Sequence, residues 1–188
     1  MMIHTNVRTM KLIILDRDGV INHDSRDYIK SPQEWRPIPG SLEAIARLNR
    51  VGYRVVIASN QSGIGRGLFD VQALKAINRK MDALLAPLSG RIESVFFCPH
   101  TPSDNCMCRK PKPGLFMQVA EQLNVDLRKA LAVGDSLRDI QAALAAGVRP
   151  MLVRTGLGEQ TSISPLLPAG IPVFDDLAAV AAELDNNR

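Results

Sequence analysis

Two carboxylates stand two positions apart, directly after a short apolar run at residues 12–15. Asp16 and Asp18 are followed by Gly19, so the run ends in a compact acidic tip. Carboxylates this close repel each other unless a cation neutralises them. Hard carboxylate oxygens are the ligands that Mg²⁺ takes in proteins. The segment therefore predicts a magnesium site at the end of a strand.

A second set of chemically active side chains lies in one short segment near the middle of the chain. Cys98, His100, Cys106 and Cys108 have the spacing C-x-H-x5-C-x-C. Three thiols and one imidazole are typical of a closed tetrahedral structural zinc site. A disulfide is one alternative, although Cys106 and Cys108 are too close along the chain for an easy bridge. A redox or catalytic thiol is another, but no strand-to-helix thiol motif surrounds these cysteines. The sequence favours structural Zn²⁺.

Composition indicates an ordinary globular chain. Of the 188 residues, 46% are hydrophobic and 22% are charged, which excludes a disordered, collagen-like or coiled-coil chain. No apolar stretch approaches the roughly 18 residues of a membrane span. The net charge of +4 is scattered and only 4% of residues are aromatic, so a small anionic substrate is favoured over nucleic acid. We expect no membrane partner, a monomer and a reducing cytoplasmic location.

Strand-like and helix-like segments alternate along the chain. The expected strands are residues 11–16, 53–60, 92–97, 130–134, 151–153 and 172–174. The expected helices are residues 41–51, 70–85, 113–123, 136–146 and 177–184, with Ser41 and Asp70 as the first two N-caps. This order predicts an α/β fold of three layers, a parallel sheet between helices. We expect one domain at residues 10–188, after a flexible extension at residues 1–9, and no separate cap domain.

Polar residues follow three of the expected strands at equivalent positions. Asp16 and Asp18 follow the first strand, Ser59 and Asn60 end the second, and Asp135 follows a later one. The carboxyl ends of parallel strands meet at one edge of the sheet, where α/β proteins bind their ligands. Turn formation explains any one of these residues, but explains all three together less well. We therefore expect them to form one site.

Four motifs in this order resemble those of the haloacid dehalogenase superfamily of phosphatases. They are Asp-x-Asp-Gly-Val at residues 16–20, Ser59-Asn60, Lys110, and Gly134-Asp135-x-x-x-Asp139. The ordered set spans most of the chain and is far more specific than a single Asp-x-Asp pair. The resemblance implies a Rossmann-like fold, in this chain a capless one with a zinc-bound loop.

The resemblance also implies the role of each motif residue. Asp16 would be the nucleophile that forms an aspartyl phosphate, and Asp18 the general acid and base. Ser59 and Lys110 would hold the phosphoryl oxygens. Magnesium would bind Asp16, Asp135 and the backbone carbonyl of Asp18.

Two of the motif assignments have rivals. Asp139 either orients the site from behind the metal ligands or is a solvent-facing helix residue. Lys112 competes with Lys110, which we prefer because it directly follows Arg109, as in the zinc-containing branch of the superfamily. The segment at residues 98–108, the expected zinc loop, leads directly into Arg109 and Lys110. Zinc is therefore expected to hold these cations in place and to take no part in the chemistry.

A zinc loop followed by Cys-Arg-Lys-Pro in a capless chain resembles a branch with two kinds of phosphatase. One kind removes the 7-phosphate of a heptose 1,7-bisphosphate in lipopolysaccharide or surface-glycan synthesis, and the other acts on histidinol phosphate. The segment at residues 59–67 resembles the heptose kind, whereas the short spacing from His100 to Cys106 resembles the histidinol kind. If the protein is not an enzyme, the alternative is a zinc-stabilised module that binds a phosphosugar without catalysis. The intact pair of Asp16 and Asp18 argues against it.

Loops around the open site are expected to contact the phosphosugar. The candidate residues are Asp24, Ser25, Ser59, Asn60, Gln61, Ser62, Arg109 and Lys110. The alternatives are a polar surface turn at residues 24–27 and a helix-capping turn at residues 61–62. Arg66 is either a contact or an exposed charge. The sequence leaves both anomers of the 1-phosphate open.

Overall fold

The computed structural model describes residues 11–186, and the predicted extension at residues 1–9 lies outside them. Within this range the strands are β1 (Lys11–Leu15), β2 (Tyr53–Asn60), β3 (Ser94–Cys98), β4 (Leu131–Gly134), β5 (Arg149–Val153) and β6 (Val173–Phe174). They form one sheet in the order β3-β2-β1-β4-β5-β6, and every neighbouring pair is parallel. The predicted parallel sheet is confirmed.

Helices cover both faces of the sheet. They are α1 (Ser41–Arg50), α2 (Ser62–Gly65), α3 (Val71–Leu85), α4 (Gly114–Leu123), α5 (Leu137–Ala145), α6 (Gly158–Ser162) and α7 (Leu177–Asn186). Short 3₁₀ turns lie at Ala86–Leu88, Pro102–Asp104 and Leu127–Lys129. No predicted helix corresponds to α2 or α6, because helices this short carry no readable apolar period.

The central strands are buried on both faces, which makes the fold three-layered. Ile13 and Leu15 belong to the apolar cluster on one side of the sheet, whereas Leu12 and Ile14 belong to the cluster on the other. Successive side chains of a strand point to opposite faces, so a continuous apolar run serves two layers at once. No helix within residues 11–186 is both long enough and apolar enough to span a membrane.

Of the two predicted N-caps, one is wrong. Asp70 caps α3, because its carboxylate accepts a hydrogen bond of 2.8 Å from the Ala73 amide. Ser41 instead lies inside α1, and its hydroxyl donates to the Ile21 carbonyl at 2.6 Å. The N-cap of α1 is Gly40, with a left-handed φ of 81° that glycine adopts without strain. A serine before an apolar period looks the same in sequence whether it caps or packs.

The two irregular stretches lie on the carboxyl side of the sheet. Within residues 22–40 and 99–113 the only regular structure is two isolated bridges, Asp18 to Asn22 and Asn22 to Pro37, and one 3₁₀ turn. Neither stretch forms a separate cap domain, so the carboxyl edge of the sheet opens directly toward solvent.

Candidate active site

Three strands and the zinc loop bring their polar residues to one point. Asp16 follows β1, and its amide donates to the Val133 carbonyl of β4 at 2.9 Å. Lys110 is 2% exposed, and its Nζ lies 3.1 Å from Asp16 Oδ1. The same ammonium donates to the Ala58 carbonyl of β2 at 2.7 Å. Lys112, the rival lysine, instead bonds the Asn105 carbonyl within the loop at 3.0 Å. The structure therefore supports Lys110 as the lysine of the site.

Asp139 lies inside the site, so its interpretation as a solvent-facing residue is wrong. It is 5% exposed, and its Oδ1 lies 2.6 Å from Lys110 Nζ. Its other oxygen accepts from the Ser136 amide at 3.0 Å and from the Ser136 hydroxyl, which caps α5. Burial alone would raise the pKa of Asp139, but the Lys110 charge and these hydrogen bonds hold it below the usual range. An ionised Asp139 thus fixes the Lys110 ammonium.

Three buried carboxylates lie close together beside this lysine. Oxygens of Asp16, Asp135 and Asp139 lie within 4.8 Å of one another. Burial, reinforced by Asp139, raises the pKa of Asp135 to about 8. Burial also raises the pKa of Asp16 to about 6, although Lys110 opposes the shift. Among the described residues Asp135 Oδ1 has no hydrogen-bond partner and is buried, while Oδ2 accepts from the Leu157 amide at 2.8 Å. Such a donor set fits a hard divalent cation, with Asp16 and Asp135 available as ligands.

Two glycines allow the backbone to pack closely against the Asp135 side chain. Gly19 has a φ of 86° and Gly156 a φ of 61°, both in the left-handed region. A Cβ at either position would lie 2.1 Å from Asp135 Oδ2. The Thr155 hydroxyl joins the two turns by donating to the Gly19 carbonyl at 2.6 Å. The acidic tip therefore requires glycine at both positions.

Asp18 is held by a buried arginine that sequence reasoning missed. Arg17 is 1% exposed, and its Nε and Nη2 donate to the two oxygens of Asp18 at 3.0 and 2.9 Å. Asn22 Nδ2 donates to Asp18 Oδ1 at 2.8 Å. Such a two-pronged pair fixes the plane of a carboxylate. An arginine between two aspartates looks in sequence like a solvated charge, and no signal marks it as buried.

Gln61 links Asp18 to Ser59. Its Nε2 donates to Asp18 Oδ2 at 2.9 Å and to the Ser59 hydroxyl at 2.8 Å, and its Oε1 accepts from Arg17 at 3.1 Å. Although Gln61 also precedes α2 as its N-cap, the side chain makes no capping bond. The Gln61 amide therefore holds three site residues together, a role beyond that of a helix-capping turn.

Asn60 serves the backbone of Lys110. Its Nδ2 donates to the Lys110 carbonyl at 3.0 Å, and its Oδ1 accepts from the Lys110 amide at 3.1 Å. Both polar atoms of this amide are thus used in positioning the lysine. Although Asn60 lines the cavity described next, its geometry suits a positioning role better than the predicted substrate contact.

An open cavity of about 250 Å³ lies above Asp16 and Asp18. Seven of the eight predicted substrate residues line this cavity: Asp24, Ser25, Ser59, Asn60, Gln61, Ser62 and Arg109. The eighth, Lys110, lies buried beneath it. Arg66 also lines it, which supports its interpretation as a contact. Sequence reasoning missed Arg138, which lines the wall formed by α5. Its one signal is a basic residue in the first turn of a helix, where the helix dipole disfavours it.

The loop at residues 98–108 brings the four predicted zinc ligands together. Cys98 Sγ lies 3.6 Å from Cys106 Sγ and 3.1 Å from Cys108 Sγ, while His100 Nδ1 lies 3.3 Å from Cys108 Sγ. All three cysteines are free thiols, so the disulfide alternative is wrong. Ligands at about 2.0–2.3 Å from a tetrahedral Zn²⁺ are separated by roughly 3.3–3.8 Å. The donor set fits zinc, and of these three separations only the 3.1 Å between Cys98 and Cys108 lies below that range.

The loop is bonded to the β2–α2 turn. The Gln61 amide donates to the Cys98 carbonyl at 2.7 Å, and the Gly65 amide donates to the Pro99 carbonyl at 2.9 Å. Arg109 Nη1 donates to the His100 carbonyl at 3.2 Å. The backbone that carries the predicted zinc ligands therefore positions Gln61 and Arg109. Through Asn60 it also positions Lys110.

The sequence model of the haloacid dehalogenase-like hydrolase family matches residues 11–147 of this chain. A D-glycero-beta-D-manno-heptose-1,7-bisphosphate 7-phosphatase of Bordetella bronchiseptica is 55% identical over 93% of this chain and 98% of its own. The enzyme of the same name from Pseudomonas aeruginosa is 52% identical, over 92% of this chain and 97% of its own.

Solved structures agree with these sequence relatives. The crystal structure of D,D-heptose 1,7-bisphosphate phosphatase from B. bronchiseptica, complexed with magnesium and phosphate, covers 95% of this chain and all of its own with a TM-score of 0.93. Its sequence is 54% identical to this chain. The corresponding Burkholderia thailandensis structure has a TM-score of 0.73 at 50% identity and covers 92% and 97% of the two chains. The chain therefore belongs to the haloacid dehalogenase-like hydrolases.

Proposed function

We propose that the protein is a Mg²⁺-dependent phosphatase that removes the 7-phosphate of D-glycero-β-D-manno-heptose 1,7-bisphosphate, leaving heptose 1-phosphate. The observation that carries the proposal is the buried Asp16, 3.1 Å from Lys110 Nζ at the floor of an open cavity. The names of relatives at 50–55% identity support the substrate and favour the β anomer that the sequence left open.

Asp16 is the proposed nucleophile. Its carboxylate oxygen attacks phosphorus, an aspartyl–phosphate bond forms, and the bond to the sugar oxygen breaks. Lys110 neutralises one phosphoryl oxygen and Ser59 donates a hydrogen bond to another. Asp16, Asp135 and the Asp18 carbonyl would hold Mg²⁺, which would supply further neutralisation of the transferred group. The elevated pKa of Asp16 means that ionisation of the nucleophile depends on the charges around it.

Asp18 is the proposed general acid and base. It donates its proton to the departing sugar oxygen, and the resulting carboxylate then takes a proton from the water that hydrolyses the aspartyl phosphate. Arg17, Asn22 and Gln61 hold this carboxylate at the cavity wall, where 19% of the side chain is exposed. Its position beside the open cavity suits proton transfer to a bound sugar.

We further propose that Cys98, His100, Cys106 and Cys108 bind a structural Zn²⁺. The ion would crosslink a loop that lacks a hydrophobic core of its own and thereby fix Arg109 and Lys110. All the proposed catalytic groups come from one chain, so a monomer suffices for activity. Three free thiols in a zinc-binding arrangement suit a reducing cytoplasm.

The direct test compares phosphate release from three substrates at equal concentration in Mg²⁺. We expect kcat/KM for the β heptose bisphosphate to exceed that for the α anomer and for histidinol phosphate by at least about tenfold, since loop contacts of a few kcal/mol separate them. A preference for histidinol phosphate would overturn the proposed substrate. It would also show that the short zinc loop identifies the substrate better than residues 59–67.

Magnesium binding at pH 7 is expected to release about one proton and to weaken as the pH falls. A pKa of about 8 means that Asp135 is protonated at pH 7 before the cation arrives, and below about pH 6 Asp16 takes up a proton as well. Calorimetric titration of Mg²⁺ in two buffers of different ionisation enthalpy measures the released proton. Binding without proton exchange, at constant affinity between about pH 6 and 8, would contradict the expectation.

A further inference from the structure

Arg138 is poorly explained by the helix that carries it. It is the second residue of α5, whose N-cap is Ser136 and whose third residue is Asp139. The positive end of the helix dipole disfavours a cation in this turn, whereas Asp139 satisfies both the dipole and the cap. A residue that breaks a local rule without local compensation often has a functional reason.

The surroundings of Arg138 leave its guanidinium available. The side chain is half-buried and lines the cavity above Asp16 and Asp18. Burial alone would lower the pKa of Arg138, but Asp139, Asp16 and Asp135 outweigh it and raise the pKa. Among residues 11–186 none forms a hydrogen bond or ion pair with this guanidinium. Its planar fork of donors therefore faces the cavity free to bind an anion.

Arg138 comes from a different element of the fold than the groups that serve the reacting phosphoryl. Lys110 lies beneath the cavity beside Asp16, and Ser59 lies near the end of β2; both are 2% exposed, whereas the half-buried Arg138 lies on α5 and lines the cavity. Of the other three cavity arginines, Arg109 is bonded to the His100 carbonyl, whereas Arg26 and Arg66 are exposed. Each phosphate of a bisphosphate carries close to two negative charges, so the group that does not react also needs a cation.

We propose that Arg138 binds the non-reacting phosphate of the bisphosphate substrate and selects bisphosphates over monophosphates. This inference rests on the proposed function. Because the contact is made to a group remote from the reacting phosphorus, it contributes to substrate binding and to kcat/KM more than to kcat.

The test measures kcat and KM of Arg138→Met for the heptose 1,7-bisphosphate and for the corresponding heptose 7-phosphate, which lacks the second phosphate. For the bisphosphate we expect kcat/KM to fall about 30- to 100-fold, mostly because KM rises. For the monophosphate we expect kcat/KM to change by less than about threefold. Arg138→Lys should recover part of the loss, since a point charge replaces the fork. Arg128→Met is the matched control, because that side chain is 84% exposed and, within residues 11–186, bonds Asp126 alone.

The outcomes separate the two proposals. Equal losses on both substrates would mean that Arg138 serves the reacting phosphoryl or merely balances the buried carboxylates, and would overturn the inference. Unchanged kinetics on both would overturn it as well. If the wild type hydrolyses both substrates equally well, no second-phosphate site exists and only the inference falls. If it hydrolyses neither, the proposed function fails and the inference falls with it. Thermal unfolding of Arg138→Met and Arg138→Lys confirms that the variants compared are folded.

Discussion

Replacing Asp16 by Asn is expected to lower kcat by about 10⁵-fold while the protein stays folded and retains its zinc. The amide has nearly the same shape as the carboxylate, but it cannot attack phosphorus to form an aspartyl phosphate. Phosphate release measured with the β heptose bisphosphate, together with zinc content and circular dichroism, checks the expectation. Turnover that persists near the wild-type level would show that the aspartyl-phosphate mechanism is wrong.

The same variant is expected to unfold at a higher temperature than the wild type in magnesium-free buffer at pH 7.5. Asp16 is 6% exposed and its pKa is raised to about 6, so its ionised form opposes folding above that pH. The neutral amide removes this cost, and a gain of several degrees in Tm follows for a chain of this size. Asp175→Asn is the matched control, because the Asp175 side chain is 90% exposed. A lower Tm for Asp16→Asn would mean that its pairing with Lys110 outweighs the burial.

Replacing Cys108 by Ser is expected to abolish zinc binding, lower Tm by more than about 10 °C and reduce kcat/KM by about 10- to 100-fold. Cys108 is only half-buried, so the loss cannot be attributed to a cavity in the core. Without the crosslink the loop no longer fixes the Cys98 and Pro99 carbonyls that bond the β2–α2 turn. Zinc content by mass spectrometry, thermal unfolding and steady-state kinetics measure the three effects.

Met107→Ser is the matched control for this loss, since Met107 lies between two proposed ligands and is 68% exposed. It should leave zinc content and activity unchanged. Added Mg²⁺ should not rescue Cys108→Ser, because the two cations occupy different donor sets. A zinc-free variant with full kcat/KM would show that the metal stabilises the fold without positioning Lys110.

Much of the fold was readable from the sequence because the relevant signals are local. An apolar run such as residues 12–15 is buried on both faces wherever its strand lies in a parallel sheet. The same rule brought Asp16, Ser59 and Asp135 together, since parallel strands end at one edge. The proposed zinc ligands were visible because all four lie in one short segment, where spacing alone specifies the donor set.

Only the tertiary structure decided which charged residues are inside. Asp139 and Arg138 are neighbours on α5, yet Asp139 is buried and paired with Lys110, whereas Arg138 lines the cavity. Arg17 is buried because it pairs with its neighbour Asp18 and also donates to Gln61 of the distant β2–α2 turn. These outcomes depend on how a helix face or loop packs over the sheet edge, and that packing involves residues far apart in the chain. A charged residue has the same local pattern when solvated as when paired, so the sequence alone could not separate the two.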